Sequence, residues 1–317
     1  MITFGPVPSR RLGYSLGVNH IPPKHCTYSC VYCQVGRTTS LDITRREYFP
    51  PLQVIEEVGA TLEKANSRGI QVDFITLVPD GEPTLDLHLG ELLLGLKQFD
   101  IPLAVISNAS LIDRQDVQAE LLPADWVSLK VDAVGETAWR AINRPHAKLS
   151  LPAILNGMLE FRAKFRGELV TETMLISGIN DSTSSIDSLS EFLSTLQPFK
   201  SYLSIPIRPP AESWVKPPAP EVLLNFMSDL TKRCPFIDML FDMEEGEFSS
   251  TGDLAADILA ITAVHPMRED ALRSMVDQAH GSWDMVESLI ASYQLISVPY
   301  REERYFINRF RNNSSTS

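Results

Sequence analysis

From Pro51 to Phe241 the chain alternates between two hydrophobic periods, and no other feature limits its possible folds as much. Leu52, Ile55, Val58 and Leu62 recur at helical spacing, and Gly69 ends that segment. Val72–Val78 follows as an apolar run of strand length. The exchange then repeats. Helices over Leu89–Phe99, near Asp113–Leu121, and over Leu151–Phe165, Ser184–Leu196 and Pro220–Arg233 separate strands over Leu103–Ser107, Trp126–Val131, Leu169–Ile176, Tyr202–Ile207 and Asp238–Phe241. Strands joined through helices need crossover connections, which are right-handed and build a parallel sheet. About six such strands fall short of the eight of a closed barrel. The expected fold class is therefore α/β, a partial (β/α)6 barrel, with a doubly wound open sheet as the alternative.

The two ends of the chain read differently. Residues 1–50 are rich in Pro, Gly, Arg and polar residues and predict irregular structure around a site. Near Phe248-Ser249-Ser250-Thr251-Gly252 the pattern changes. Three helical segments follow, at Asp253–Thr262, Glu269–Gln278 and Ser282–Ser292, then two short strands at Leu295–Pro299 and Arg304–Asn308 around the turn Arg301-Glu302-Glu303. Three helices and a hairpin predict a small winged-helix-like domain. The expected division is a core domain over 1–248, the small domain over 249–311 and a disordered tail over 312–317.

Charge and cysteine usage narrow the function. The formal net charge of −12 repels polyphosphates. The small domain adds to this, with nine acids against five bases between Thr251 and Phe310, which argues against DNA binding. No apolar run is long enough to span a bilayer, and the N-terminus lacks the charged and apolar regions of a secretory signal, so no membrane partner and a cytoplasmic location are expected. Of the four cysteines, Cys26, Cys30 and Cys33 fall within eight residues and Cys234 stands far away. A disulfide scaffold would spread its cysteines, whereas this crowding points to a metal or cluster site in a reducing compartment.

Cys26-Thr27-Tyr28-Ser29-Cys30-Val31-Tyr32-Cys33 is a C-x3-C-x2-C run. Three thiolates on one tight loop can hold three corners of a cubane cluster and leave the fourth iron open. A zinc site would need a fourth ligand, which His20 or His25 could supply. The run resembles the signature of the radical S-adenosylmethionine (SAM) superfamily, and Tyr32 before the last cysteine agrees with it. Asp80-Gly81-Glu82-Pro83, after the strand ending at Val78, resembles the family's Gly-Gly-Glu-Pro segment with Asp80 in the first glycine's place.

That resemblance implies a fold, two cofactors and a set of contacts. The fold is the partial barrel of the family. The cofactors are a [4Fe–4S] cluster on Cys26, Cys30 and Cys33, and SAM on the open iron, cleaved to a 5′-deoxyadenosyl radical that abstracts hydrogen from a substrate not named by the sequence. It further implies that Tyr32 holds the adenine, that Asp80, Gly81, Glu82 and Pro83 meet the amino group of SAM, and that Asn108 and Asp132 approach its ribose or carboxylate. Lys130 stands among these cofactor positions, with facing the substrate or merely capping its strand as the alternatives, and Ile207 belongs to backbone beside the adenine. An electron donor such as flavodoxin or ferredoxin is implied as partner.

Pro8-Ser9-Arg10-Arg11-Leu12-Gly13, Gln34-Val35-Gly36-Arg37-Thr38 and Asn143-Arg144-Pro145-His146 are similar to segments of the bacterial Fe–S oxidoreductases grouped with the wyosine-forming tRNA enzyme. The second cysteine set of the archaeal wyosine enzymes is missing, and Cys234 reads as a buried apolar residue. Arg10, Arg11, Lys24 and Arg37 stand around the site loop, either to bind an anionic substrate or to balance an anionic cluster. The alternatives to SAM chemistry are an interaction protein stabilised by a cluster or zinc and, within the same chemistry, a tRNA-modifying enzyme of the wyosine type.

Overall fold

The computed structural model describes residues 2–240, 248 and 250–309. Strand β1 (Thr3–Ser9) turns back into β2 (Gly13–Val18), and β3 (His25–Cys26) pairs with β4 (Ser40–Leu41) inside the site loop. The alternating part follows as α1 (Pro51–Ser67), β5 (Phe74–Leu77), α2 (Leu89–Leu96), β6 (Leu103–Ser107), α3 (Gln115–Leu121), β7 (Trp126–Lys130), α4 (Glu136–Asn143) and α5 (Leu151–Lys164). It continues through β8 (Glu168–Met174), α6 (Thr183–Leu196), β9 (Lys200–Ser204), α7 (Pro220–Arg233) and β10 (Ile237–Leu240). Among the described residues the main sheet has eight strands in the order β1-β2-β5-β6-β7-β8-β9-β10. All its neighbours are parallel except β1 and β2.

The parallel α/β fold is as expected, but the strand count is not. The hairpin β1–β2 lies in the stretch expected to be irregular. Its prolines hid it: Pro6 and Pro8 cannot donate to a ladder, and a strand tolerates them only at a sheet edge, which is where β1 sits. The ladder is also irregular between Phe4 and Val7. Helix α4 and the two-residue strands β3 and β4 also lie outside the expected set. Phe241, the boundary at 248–249 and the tail at 312–317 fall wholly or partly outside the described residues.

Side chains alternate along each parallel strand, so one set faces the helices and the other faces the inside of the curved sheet. The inward set forms two levels. Ala104, Trp126, Val170, Tyr202 and Leu240 pack with Leu12 from the β1–β2 turn into an apolar floor. Two residues further along the strands, the inward positions become Ile106, Glu172 and Ser204, which line a cavity. The β1–β2 turn also spans the gap between the outer strands, because Arg10 Nη1 donates to the Leu240 carbonyl at 2.7 Å.

Beyond the sheet come α8 (Leu254–Val264), β11 (Met267–Arg268), α9 (Glu269–Gln278), α10 (Trp283–Ala291), β12 (Leu295–Tyr300) and β13 (Glu303–Asn308), with the three strands antiparallel in the order β11-β13-β12. This unit covers the edge of the main sheet: Phe4 and Val7 of β1 share a buried cluster with Ile258, Ile261 and Phe306. Covering an edge strand removes its unpaired backbone from solvent and from stray pairing.

Candidate active site

A cavity of about 350 Å³ opens at the C-terminal ends of the parallel strands, where barrel folds place their sites. Cys26, Cys30 and Cys33 all line it. Their loop is held from two sides. Behind it, Ser29 N donates to the Asn143 carbonyl at 3.0 Å, Val31 N to the Ile142 carbonyl at 2.9 Å and His146 N to the Thr27 carbonyl at 2.9 Å. Beside it, Lys24 N donates to the Asp80 carbonyl at 2.8 Å and Glu82 N to the His25 carbonyl at 3.1 Å. A Cβ at Gly81 would lie 2.0 Å from the His25 carbonyl oxygen, so only glycine allows this approach.

The donor set suits a cluster. Amides reach two of the sulfurs, from Asn108 Nδ2 to Cys26 Sγ at 3.4 Å and from Asn143 Nδ2 to Cys30 Sγ at 3.4 Å. Hydrogen bonds to sulfur are a means by which proteins tune such clusters. Burial, with Glu82 nearby, pushes the Cys26 thiol up to about 12, and burial with Asp132 nearby also raises Cys30. Without iron these thiols stay protonated, so iron has to displace their protons on binding. Among the described residues no group of three His, Cys, Asp or Glu is arranged around one ion position. The thiolates of a single zinc stand within about 4 Å of each other. His25 stacks edge-on against Tyr48, and neither it nor His20 lines the cavity.

Several expected site residues do gather at this cavity: Tyr32, Asp80, Gly81, Glu82, Asn108, Lys130 and Ile207 line it. Pro83 is buried behind the turn and does not. Asp132 is not at the cavity either. Strand β7 ends at Lys130, and Asp132 folds under Tyr32, accepting from Tyr32 Oη at 2.5 Å, Asn143 Nδ2 at 2.7 Å and Met174 N at 2.9 Å. Through these bonds it anchors the tyrosine ring. Glu82, expected as an acceptor for an ammonium, already has four donors. Oε1 takes Ser107 Oγ at 2.6 Å, Thr84 Oγ1 at 2.7 Å and Thr84 N at 3.1 Å, and Oε2 takes Asn108 N at 2.8 Å. Burial raises its pKa, and those bonds offset the rise only in part.

The cations divide. Arg10, Arg11, Lys24, Lys130 and Arg208 line the cavity, against Asp80, Glu82 and Glu172. Arg37 points away and pairs with Glu212 at 2.9 Å, as Arg144 does at 2.5 Å. Glu172, Arg208 and His265 escaped the sequence reading. A lone acid in the apolar run Leu169-Val170-Thr171-Glu172-Thr173 was a visible sign for the first. His265 comes from the C-terminal unit, whose contact with this cavity nothing local announces. Cys234 is fully buried in the core, away from the site.

The C-terminal unit meets the segment after β9. Tyr300 Oη and Arg301 Nη2 donate to the Pro206 carbonyl at 2.9 and 3.1 Å, and Tyr305 Oη donates to the Ile207 carbonyl at 3.0 Å. Gln34, next to Cys33, donates to the Val264 carbonyl at 3.2 Å and accepts from Arg208 at 3.0 Å.

Comparison with known proteins agrees with this geometry. Residues 21–188 match the family model described as the Radical SAM superfamily. A UPF0026 protein of Methanocaldococcus jannaschii is 44% identical over 98% of this chain and 97% of its own length. Among solved structures, TYW1 with a lysine-pyruvate adduct bound shares 18% identity at a TM-score of 0.52, covering 70% of this chain and 75% of that one. Streptococcus suis SuiB bound to S-adenosylmethionine shares 13% identity at a TM-score of 0.52, covering 70% of this chain and 49% of that one. At such identities the two structures speak for the fold.

Proposed function

This chain belongs to the radical SAM superfamily, and from that premise we propose that Cys26, Cys30 and Cys33 hold the [4Fe–4S] cluster and that the cavity beside them binds SAM and a substrate. The observation that carries this reading is the docking of the Asp80–Pro83 turn on the cysteine loop, through the Glu82–His25 and Lys24–Asp80 backbone bonds. It sets three thiols and a ligand-sized cavity at one mouth of the sheet. The superfamily is enzymatic, and its cluster supplies an electron that cleaves SAM to a 5′-deoxyadenosyl radical.

The chain's own residues divide the remaining work. Asp80, Gly81 and Asn108 present polar backbone and side-chain groups beside the cysteines and bind the amino-acid end of SAM. Tyr32, fixed by Asp132, and the backbone at Ile207 flank the adenine. Glu82 supports the turn through its four donors and contributes backbone, not a free carboxylate. Lys130 lies deeper, toward the substrate. Enclosing these groups limits water around a reactive radical.

The sheet is a partial barrel whose open side is bridged by the β1–β2 turn. With the division at 248–249, the described residues up to 248 form the core domain, and 250–309 form a winged-helix-like domain that serves as a wall of the site through His265 and its bonds to Pro206 and Ile207. Its acidic balance favours that role over binding DNA. A small electron-transfer protein such as flavodoxin or ferredoxin supplies the electron. Among the described residues no helix is long and apolar enough to cross a membrane, and we place the protein in the reducing cytoplasm.

Anaerobic reconstitution with iron and sulfide, followed by dithionite and SAM, tests the reading. The expected product is 5′-deoxyadenosine. Its absence from a protein carrying a full cluster would count against SAM chemistry here.

A further inference from the structure

We propose that the inside of the sheet holds an oxyanion subsite, for a carboxylate or phosphate of the substrate, bound by Arg11 and Lys130 and shaped by Glu172. This rests on the cavity being the SAM and substrate site, and it goes further by naming the substrate's chemistry. Arg11 comes from the β1–β2 turn and Lys130 from the end of β7. Both converge on the Glu172 carboxylate, Lys130 Nζ at 2.9 Å from Oε1 and Arg11 Nη1 on Oε2. All three line the cavity. Burial opposes the charge on Glu172, but Arg11 and Lys130 outweigh it and hold the carboxyl well below the usual range. Burial likewise opposes the charge on Lys130, and Glu172 with Asp132 outweighs it.

Counting donors shows what is left for a ligand. A guanidinium has five N–H donors and an ammonium three. Each of these cations gives one side-chain donor to Glu172 and makes no other side-chain hydrogen bond among the described residues; Lys130 Nζ also lies 5.1 Å from the Tyr32 ring centre. Arg11 Nε and Nη2, which make no bond to Glu172, are not buried away from the cavity, and both Arg11 and Lys130 line it. A planar fork beside a point charge suits an oxyanion.

The wider charge pattern agrees. Five cations and three acids line the cavity, in a chain with 28 bases and 40 acids. Apart from the cysteines, the lining therefore reverses the sign of the whole molecule, which favours an anion at the level of Arg11 and Lys130. The pair also lies below the cofactor side: Glu172 sits one inward position above Val170 of the apolar floor, whereas Asn108 and the Asp80–Glu82 turn follow the strand ends. SAM would fill much of a cavity of about 350 Å³, which leaves this level to a small charged head group.

The test uses the reconstituted, SAM-loaded protein, titrated calorimetrically with inorganic phosphate and, separately, with acetate; SAM affinity is measured on the same preparations. Saturable binding of at least one anion is expected, and which arm responds separates phosphate from carboxylate. Arg11→Gln should weaken it about tenfold or more, the scale of one charge-assisted hydrogen bond. Glu172→Gln, which removes the competing carboxylate, should tighten it severalfold, an outcome that a purely structural triad would not give. SAM affinity should stay within about twofold in both variants. Weaker anion binding in Glu172→Gln, or SAM affinity falling together with anion affinity in Arg11→Gln, would overturn the proposal. SAM binding without anion binding in the unaltered protein overturns this inference alone; failure to bind SAM overturns the cavity's assignment and this inference with it.

Discussion

The amide of Glu82 donates to the carbonyl of His25 at 3.1 Å, one residue before the first cysteine of the site loop. The same glutamate's carboxylate reaches the other way, to Ser107 Oγ and the Asn108 amide at the end of β6. Glu82 thus connects the cysteine loop to two neighbouring strands.

Replacing Glu82 with Ala leaves the buried donors of Thr84, Ser107 and Asn108 without their acceptor. At about 1–3 kcal/mol for a buried unsatisfied group, the loss should be at least about 3 kcal/mol of stability. Because the turn braces the cysteine loop, iron incorporation should fall as well. Chemical denaturation together with iron analysis checks both. Unchanged stability would show that these donors find water, and that the carboxylate does not hold the turn.

Exchanging Cys26, Cys30 or Cys33 for Ala should abolish the cluster's brown absorbance and iron content. The same exchange at Cys234 should spare both, since Cys234 is buried among the helices and its sulfur lies beside Ser190 and Ser194. Iron lost equally from the Cys234 variant would refute the ligand assignment.

His20 sets a pH dependence. Burial lowers its pKa from 6.5 to about 4, with the Pro83 and Val18 carbonyls opposing the shift. Between those values the unfolded chain takes up a proton that the folded chain does not, so stability falls as pH falls. The full effect is about 3 kcal/mol. Asp86, raised to about 6 mainly by burial, acts in the opposite direction, so the comparison must be with His20→Gln, in which Asp86 is retained. Urea midpoints at pH 6.5 and pH 4 should show the unaltered protein losing about 3 kcal/mol more than the variant. Parallel losses would mean that His20 titrates normally.

Tyr300→Phe and Tyr305→Phe each remove one bond to the segment after β9. Each should cost about 1 kcal/mol at the domain contact. Hydrogen exchange should quicken at Arg208 and at Ile205 in the double variant, with the core helices unchanged. Exchange that stays the same would show that the apolar cluster around Phe4, Ile258 and Phe306 holds the unit unaided.

Sequence alone determined the features that depend on neighbours along the chain. The shift between helical and strand periods marked the parallel sheet, because burying one face of each element demands that spacing. Three cysteines in eight residues marked the site loop. Tertiary structure decided what those features meet. Arg11 and Glu172 lie 161 positions apart, and the curvature of the sheet brings them together. Asp132 belongs to the expected site by position, yet the chain turns after Lys130 and directs it to Tyr32. Glu82 carries the expected motif, yet its carboxylate is filled from Ser107 and Asn108 on the next strand. Local patterns record which face an element buries; which distant residue completes a hydrogen bond or an ion pair depends on the closure of loops whose outcome no local period encodes.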